Sequence, residues 1–271
     1  KALSASLNSA VIIENQPGAG GVVGTATLTK AAADGATLGV VSNNHVIFPS
    51  VYKSLPFDPI NDITPIAVIG STPMILVVNP KVAATNSKEL VALLKANPDS
   101  LNYASSGNGT ILHLAAEMFL DEAGVKAKHI PYKGVGPMIA DLIGGQVDFG
   151  VLALPAIQAH LKSGALRAIG TSSPTRLAAA PAIPTFAEQG LPSYLVDGWF
   201  AVIGPKNLPT AEVKRVHAAF SSAFATAEVK ESMTKQGNVI NILSPEASAA
   251  HFRSELDKYA KLVKKAGVKL D

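Results

Sequence analysis

The chain has no cysteine, and its 271 residues include few charges, four arginines and one tryptophan. Without cysteine there is no thiol nucleophile, no disulfide bond and no cysteine-ligated metal. Charged residues make up 16% and hydrophobic residues 48%, a balance that excludes a disordered chain. The net charge of +3 is too small and too dispersed for the basic surface that nucleic acids require. No apolar run reaches about 18 residues, so the sequence predicts no membrane-spanning helix.

The histidines and arginines are scattered along the chain. The histidines are His45, His113, His129, His160, His217 and His251, and the arginines are Arg167, Arg176, Arg215 and Arg253. No two histidines have metal-ligand spacing, so the sequence predicts no metal and no other cofactor. No arginine lies in a glycine-rich loop, so a bidentate arginine clamp on a carboxylate is not expected. Backbone amides and hydroxyls must then provide most of any anion recognition.

Apolar runs of strand length alternate with helical patterns, which predicts an α/β fold with a mainly parallel sheet. The predicted strands are Val11–Glu14, Thr37–Ser42, Ile66–Gly70, Met74–Val78, Leu101–Ala104, Lys128–Ile130, Val147–Val151, Ala165–Ser172 and Gly198–Ile203. The predicted helices are Gly24–Ala33, Ser87–Ala96 with Ser87 as its cap, Thr110–Ala123, Val135–Ile143, Ala153–Ser163, Thr210–Ala225 and Pro245–Lys265. A kink is predicted at Pro73, because the residue before a proline avoids the α region. A polar turn is predicted at Asn43–His45.

A glycine-rich stretch, Gly18–Gly24, follows the apolar run Val11–Ile13 and precedes an alanine-rich segment. Strand, glycine turn and helix is the order found in dinucleotide-binding loops. Such loops also need an acidic residue about 20 residues later, at the end of the second strand. Here that strand ends in Ser42, Asn43 and Asn44, and no Gly-Lys-Ser/Thr motif is present. We therefore favour a tight strand-to-helix turn over a nucleotide site.

The stretch from Tyr103 to Thr110 (YASSGNGT) lies between a short predicted strand and a strong predicted helix. Amides at the start of a helix point outward, and the helix macrodipole adds partial positive charge there. The loop therefore suits a carboxylate or a phosphate, and equally Asn108 or Thr110 could serve only as a helix cap. A serine hydrolase is the weaker interpretation, because Ser105 and Ser106 lack the Gly-x-Ser-x-Gly elbow.

Asp148 interrupts the otherwise apolar run Gly145–Val151. Burying a carboxylate without a partner is costly, so Asp148 needs one. We favour a local backbone cap at this position over contact with a ligand, and a ligand amine or an ordered water is the other possible partner.

Several segments match one family together, in order, along nearly the whole chain. They are Val11–Gly21, Ala32–Leu38, Leu55–Ile66, Pro73–Pro80, Asn97–Glu117, His129–Gly134, Asp141–Asp148, Gly164–Gly170, Pro184–Pro192, Trp199 and Gly204–Pro209. On these segments the chain resembles the Bug family of extracytoplasmic solute receptors, which serve tripartite tricarboxylate transporters. Each segment alone is a weak signal, and the ordered set makes the resemblance specific.

The resemblance implies a two-lobed, type II periplasmic-binding-protein (Venus flytrap) fold with a ligand cleft between the lobes. It places residues 1–100 in the first lobe and 101–200 in the second, with 201–271 returning to the first. Hinge segments are expected near Pro98–Asn102 and Gly198–Gly204. The implied protein is a monomeric periplasmic receptor without catalytic activity. It would capture a small organic carboxylate (a dicarboxylate, an aromatic acid or an amino acid) and deliver it to the transporter's membrane subunits.

Carried over residue by residue, the resemblance places the ligand wall at four places along the chain. The expected ligand-binding residues are Ser42, Asn43, His45, Thr72, Ser105, Ser106, Gly107, Asn108, Gly109, Thr110, Asp148, Phe149 and Leu152. Some of these side chains are expected to reach the ligand only through bridging waters.

The chain departs from the family pattern at its start, which is Lys1-Ala2-Leu3-Ser4 and not Met. Family members begin with a further strand and a glycine-rich loop that forms one face of the carboxylate site. This chain begins in what should be the first helix, Ala2–Leu7. We therefore expect a processed or truncated N-terminus, with the N-terminal strand of the first lobe missing and the signal peptide outside this chain.

Two other classes of protein stay open on the sequence alone. One is an enzyme, either a nucleotide-dependent α/β enzyme using Gly18–Gly24 or a serine hydrolase using Ser105 or Ser106. The other is a sensor component that passes ligand occupancy to a signalling partner.

Overall fold

A computed structural model of the protein describes residues 1–16, 18–98 and 100–268. Its helices are α1 (Ala2–Leu7), α2 (Val22–Leu28), α3 (Asn44–Ile47), α4 (Ser87–Ala96), α5 (Ile111–Ala123), α6 (Val135–Gly144), α7 (Leu154–Lys162), α8 (Thr210–Ala225), α9 (Ala227–Lys235) and α10 (Pro245–Ala266). Its strands are β1 (Gly39–Ser42), β2 (Ile63–Val78), β3 (Asn102–Ser105), β4 (Lys128–Pro131), β5 (Phe149–Ala153), β6 (Arg167–Thr171), β7 (Asp197–Pro205) and β8 (Val239–Ile240). Short 3-10 turns lie at Ala19–Gly21 and Phe48–Ser50. Asp99 of the predicted hinge and the last three residues of the predicted C-terminal segment lie outside the described residues.

The chain divides into two compact units. The first unit contains the residues up to Ser71 and those from Trp199 onward, and the second contains Thr72–Gly198. The division near Trp199 falls close to the predicted boundary at residue 200. The division after Ser71 comes earlier than the predicted boundary near residue 100, because α4 belongs to the second unit.

The first unit is built on a sheet whose strands are far apart in the sequence. β1 runs antiparallel to β7, with Gly39 opposite Ile203, and β7 is followed in the sheet by the first half of β2. The end of this half pairs with β8. Ile66 of β2 and Val216 and Phe220 of α8 lie in one hydrophobic cluster, and helical spacing of the α8 residues turns them to the same face.

The second unit has a mixed sheet in the order β6, β2, β5, β3, β4. The second half of β2, Met74–Val78, is fully buried and runs antiparallel to both β5 and β6. β3 runs parallel to β4 and to β5. The α/β class is confirmed, but the prediction of a mainly parallel sheet is wrong. An apolar run that is buried on both faces has the same pattern in either direction, so the sequence did not reveal the reversal.

β2 is continuous, so the predicted break at Pro73 is also wrong. The region that a residue before proline prefers is the extended region of a strand, and Thr72 adopts it here. Pro73 has no N–H to donate, and it lies between the two sheets. The pairing with β8 ends at Ser71, and the pairing with β5 begins at Met74. The proline therefore costs no hydrogen bond in either of these two ladders.

Three local predictions need correction. The predicted strand Val11–Glu14 is not formed, and Ile12 and Ile13 are 84% and 82% exposed. Hydrophobicity marks a possible strand, but a strand also needs a partner edge, and this run pairs with none in the part of the chain that is described. Asn86, not Ser87, caps α4, because its Oδ1 accepts a hydrogen bond from the Glu89 amide at 3.0 Å. In place of the predicted polar turn Asn43–His45, Asn43 is the N-cap residue of the short helix α3, and Asn44 and His45 are its first two residues.

The predicted bounds of α4 and α8 are confirmed, and those of α5 are confirmed to within one residue. Amphipathic helices are predicted well because their apolar period is set by the helix itself. Among the described residues, no helix combines the length and the apolar character needed to cross a membrane.

Candidate functional site

The parallel strands of the second unit end together at one edge of its sheet. β3 ends at Ser105, β4 at Pro131 and β5 at Ala153, and β3 is parallel to both others. Ligands of open α/β sheets bind outside the carboxyl ends of such strands. The loop between β3 and α5, residues Ser105 to Thr110, lies at this edge. We call it the anion loop.

The anion loop is shaped by two glycines and a helix cap. Gly107 has a φ of 138° and Gly109 a φ of 70°, conformations that side chains disfavour. Thr110 caps α5, because its Oγ1 accepts a hydrogen bond from the His113 amide at 3.4 Å. The same hydroxyl donates to the Gly107 carbonyl at 2.8 Å, so the loop is closed on itself.

Three backbone N–H groups of this region are not used by the protein. Among the described residues, the amides of Ser106, Asn108 and Leu112 donate to no other group. The Asn108 side chain is exposed and likewise makes no hydrogen bond within the described chain. These donors lie at the positive end of the α5 macrodipole, which favours a negatively charged ligand. Of the two alternatives left open above, the cap at Thr110 is confirmed. Anion binding stays a prediction, for which the neighbouring unused donors are an argument.

The Ser105 side chain is buried and hydrogen-bonded within the protein. It is fully buried, its Oγ lies 2.7 Å from His129 Nε2, and the Gly107 amide donates to that oxygen at 3.2 Å. A serine beside a histidine is the start of a hydrolytic site, but a substrate cannot reach this hydroxyl. Burial also lowers the pKa of His129 to about 4, so the imidazole is a poor base at neutral pH. Ser105 is therefore a structural residue of the loop.

Three aromatic side chains and one carboxylate lie together beneath the anion loop, a grouping that the sequence did not reveal. The imidazoles of His113 and His129 are stacked with ring centroids 3.8 Å apart, and Tyr103 stacks on His129 at 4.8 Å. The Tyr103 hydroxyl donates a hydrogen bond to Glu117. We call these four side chains the histidine cluster. Their sequence spacing carries no recognisable motif, because three elements contribute them.

Asp148 lies at the other end of the parallel strands. Its Oδ2 accepts a hydrogen bond from the Asn102 amide at 2.7 Å, and its carbonyl accepts one from the Asn79 amide at 2.8 Å. Asn102 begins β3 and Ser105 ends it, so about 10 Å of strand separates Asp148 from the anion loop. The structure thus shows Asp148 as a backbone cap, but the cap is not local as we predicted, because Asn102 lies 46 residues away in the sequence. Asp148 is not brought to the anion loop. Phe149 and Leu152 are fully buried in the sheet.

The expected site residues outside the second-unit sheet have mixed surroundings. Asn43 is buried in the first unit and donates to the Tyr259 hydroxyl at 2.8 Å, and Ser42 ends β1. His45 is buried against Phe57, and its Nε2 lies 2.7 Å from the Pro59 carbonyl. Burial lowers the pKa of His45, so it is a neutral core histidine.

Thr72 differs from these residues. Its Oγ1 is buried and has no hydrogen-bond partner within the described chain. A buried hydroxyl without a partner is costly, so this position retains unused capacity for a polar group.

The glycines of Gly18–Gly24 have a packing role. Gly20 has a φ of 65°, and a Cβ on it would lie 2.3 Å from the Phe48 ring. Gly21, with a φ of 111°, directly precedes α2. A tight turn into α2 is therefore present, but the strand predicted before it is not formed, so the strand-to-helix interpretation is correct only on the helix side. In the described residues, no group of three or more acidic or histidine side chains is arranged to hold a metal ion.

Comparison with known proteins identifies the class. The family described as "Tripartite tricarboxylate transporter family receptor" matches residues 1–268. The protein BugT of Bordetella pertussis is 34% identical over 272 residues, covering 100% of this chain and 83% of BugT. The solved structure of R. palustris Rpa4515 with adipate has a TM-score of 0.93 at 29% identity, covering 99% of this chain and 91% of that one. MatC from Rhodopseudomonas palustris with bound malate has a TM-score of 0.87 at 26% identity, covering 97% and 90%.

The chain therefore belongs to the tripartite tricarboxylate transporter receptor family, the Bug-type periplasmic solute-binding receptors. The fold predicted from the resemblance, that of a periplasmic binding protein, is confirmed. The protein is a receptor and not an enzyme, so the nucleotide-dependent and hydrolase alternatives are wrong.

Proposed function

We propose that the protein captures a small aliphatic dicarboxylate in the periplasm and delivers it to the membrane subunits of a tripartite tricarboxylate transporter. The set of unused donors around the anion loop carries this proposal. The ligand class is supported by two similar structures, one with adipate and one with malate. The transporter partner and the periplasmic location are supported by the family to which the chain belongs.

In the proposed complex, one carboxylate of the ligand lies at the anion loop. The amides of Ser106, Asn108 and Leu112 donate to its oxygens, and the Asn108 side chain adds a further donor. Hydrogen bonds to a charged group contribute about 1.5–3 kcal/mol each, so a few of them suffice for a receptor without an arginine clamp. Ligand contacts of Ser42, Asn43, His45, Thr72 and Gly107 stay predictions of the resemblance.

An isosteric charge change tests the site. Asn108→Asp keeps the size of the side chain and adds a negative charge where the carboxylate is proposed to bind. Like charges about 4 Å apart repel by about 1–4 kcal/mol, so the dissociation constant should rise at least about fivefold. The matched control is Asn97→Asp, another exposed asparagine of the second unit, which lies outside the loop. It should bind like the unaltered protein.

The measurement is isothermal calorimetry with adipate, malate, benzoate and leucine on protein stripped of bound ligand. Binding of adipate or malate, weakened by Asn108→Asp alone, supports the proposal. Binding of only benzoate or leucine, each of which has a single carboxylate, contradicts the ligand class. Equal affinity in Asn108→Asp and Asn97→Asp places the carboxylate elsewhere.

A further inference from the structure

The histidine cluster contacts the anion loop at both ends. At one end, the Gly109 amide donates a hydrogen bond to His113 Nδ1 at 3.1 Å. At the other end, the hydroxyl of Ser105 lies 2.7 Å from His129 Nε2. Since the two imidazoles are stacked on each other, the ends of the loop are joined through one rigid pair of rings.

His113 forms a reciprocal arrangement at the start of α5. Its amide donates to Thr110 Oγ1, while its ring accepts from the amide that precedes Thr110 in the chain. In the usual capping box a glutamate or glutamine at this helix position reaches back in the same way. A histidine does so only as an acceptor, so Nδ1 must carry no proton and the Nε2 proton faces Glu117, 3.9 Å away.

Burial keeps both rings neutral. It lowers the pKa of His113 to about 3 and that of His129 to about 4, and for His113 the neighbouring His129 adds to the effect. The other groups that face the two rings are Tyr103, whose pKa is raised by burial and by its bond to Glu117, and Glu117 itself. The acceptor at Nδ1 is therefore present across the pH range in which a receptor works.

We infer that His113 and His129 are positioning residues that preset the anion loop for its carboxylate ligand. By fixing Gly109 and Ser105, they hold the intervening amides of Ser106 and Asn108 in the outward orientation before the ligand arrives. Loop ordering that is complete before binding does not reduce the affinity. This inference rests on the proposed function, since it concerns the same loop.

The test uses two pairs of variants. His113→Asn keeps an acceptor oxygen at the place of Nδ1, whereas His113→Leu removes it. His129→Gln keeps a polar atom near the place of Nε2, whereas His129→Leu removes it. Each leucine variant loses one ordering hydrogen bond, so its dissociation constant for adipate or malate should rise about fivefold to tenfold. The Asn and Gln variants should keep most of the native affinity, because each retains a polar atom at the position of the ring nitrogen.

Two further readouts separate positioning from a general loss of stability. A scalar coupling across the N–H···N hydrogen bond, between the Gly109 and His113 Nδ1 nitrogens, should be detectable by NMR in the unaltered protein and absent in His113→Leu. Hydrogen exchange of the Ser106 and Asn108 amides should quicken in the leucine variants, while exchange in β2, in the centre of the sheet, stays slow.

The outcomes are distinct from those of the proposed function. If Asn108→Asp weakens binding but all four histidine variants bind like the unaltered protein, the loop is the site and the positioning role is wrong. If the leucine and amide variants lose affinity equally, without rescue, the role of the rings is packing and the inference is overturned. If the unaltered protein binds neither dicarboxylate, the proposed function fails, whereas the NMR coupling still reports on the His113–Gly109 contact.

Discussion

The double variant His113→Asn/His129→Gln should lose part of the acid sensitivity of folding. In the folded protein, burial holds the pKa of these histidines at about 3 and about 4. In the unfolded chain both return to about 6.5, so the unfolded state takes up protons first as the pH falls. Their contribution to stability is therefore complete above pH 6.5 and is lost progressively as the pH falls towards the folded-state values. The side-chain amides of Asn and Gln do not titrate, so the double variant lacks this pH-dependent contribution to stability.

The magnitude follows from the proton difference between the two states. Between about pH 6 and pH 5 each unfolded-state histidine is mostly protonated and each folded-state one mostly neutral. The pair should then cost about 2 kcal/mol of the free energy of unfolding over that interval. The carboxylates and the other histidines are the same in both proteins, so the difference between the proteins isolates the pair.

The assay is urea unfolding of both proteins at about pH 6 and about pH 5, followed by far-UV circular dichroism, because Trp199 belongs to the first unit and the two histidines to the second. The unaltered protein should lose about 2 kcal/mol more than the double variant between the two conditions. Equal losses would show that the two histidines are protonated in the folded state or are not buried as described. The single variants His113→Asn and His129→Gln should each show about half of the effect, which guards against a double variant that folds poorly.

Two further predictions concern residues outside the anion loop. Asp148→Ala should lower the free energy of unfolding by about 1–3 kcal/mol, because the Asn102 amide loses its acceptor, while calorimetry finds the dicarboxylate affinity unchanged. A drop in affinity without a drop in stability would return Asp148 to the ligand site. Gly70→Ala should destabilise the first unit by about 1–3 kcal/mol, since its Cβ would lie 2.3 Å from the Val239 carbonyl oxygen. Gly144→Ala, where a Cβ meets nothing within 4 Å, is the control, and equal melting temperatures for the two variants would contradict the clash.

Sequence reasoning predicted the second unit's helices well and its strand directions poorly. The helices α4 and α5 are predictable from the period of their apolar residues and from their cap residues, which are local properties of the sequence. The direction of β2 relative to its neighbours depends on the path of the chain through both units. A local sequence pattern contains no information about that path. α9 and β8 were not predicted, since α9 buries none of its residues and β8 has only two.

The candidate site divides in the same way. The loop could be singled out because glycines, hydroxyls and a helix start are consecutive between Ser105 and Thr110, and its role in anion binding stays a prediction. The sequence predicted that Asp148 caps a backbone group but could not identify that group, since the Asn102 amide lies 46 residues away. The stacking of His113 on His129 could not be predicted, because it depends on the register of β3 against β4 and on the rotation of α5.

The absence of an arginine from the glycine-rich loops has a consequence for how affinity arises. A guanidinium binds a carboxylate strongly through charge and a rigid fork of donors, even on a mobile loop. Neutral amides have neither advantage, so their contribution depends on being fixed in the right orientation before the ligand binds. The anion loop meets that need with two closures, the Thr110 hydroxyl on Gly107 and the imidazole of His113 on Gly109. In the proposed complex the ligand is held through preset geometry rather than through an ion pair, which suits a receptor that must release its ligand to a transporter. On this proposal the rings below the loop are as much part of recognition as the amides above them.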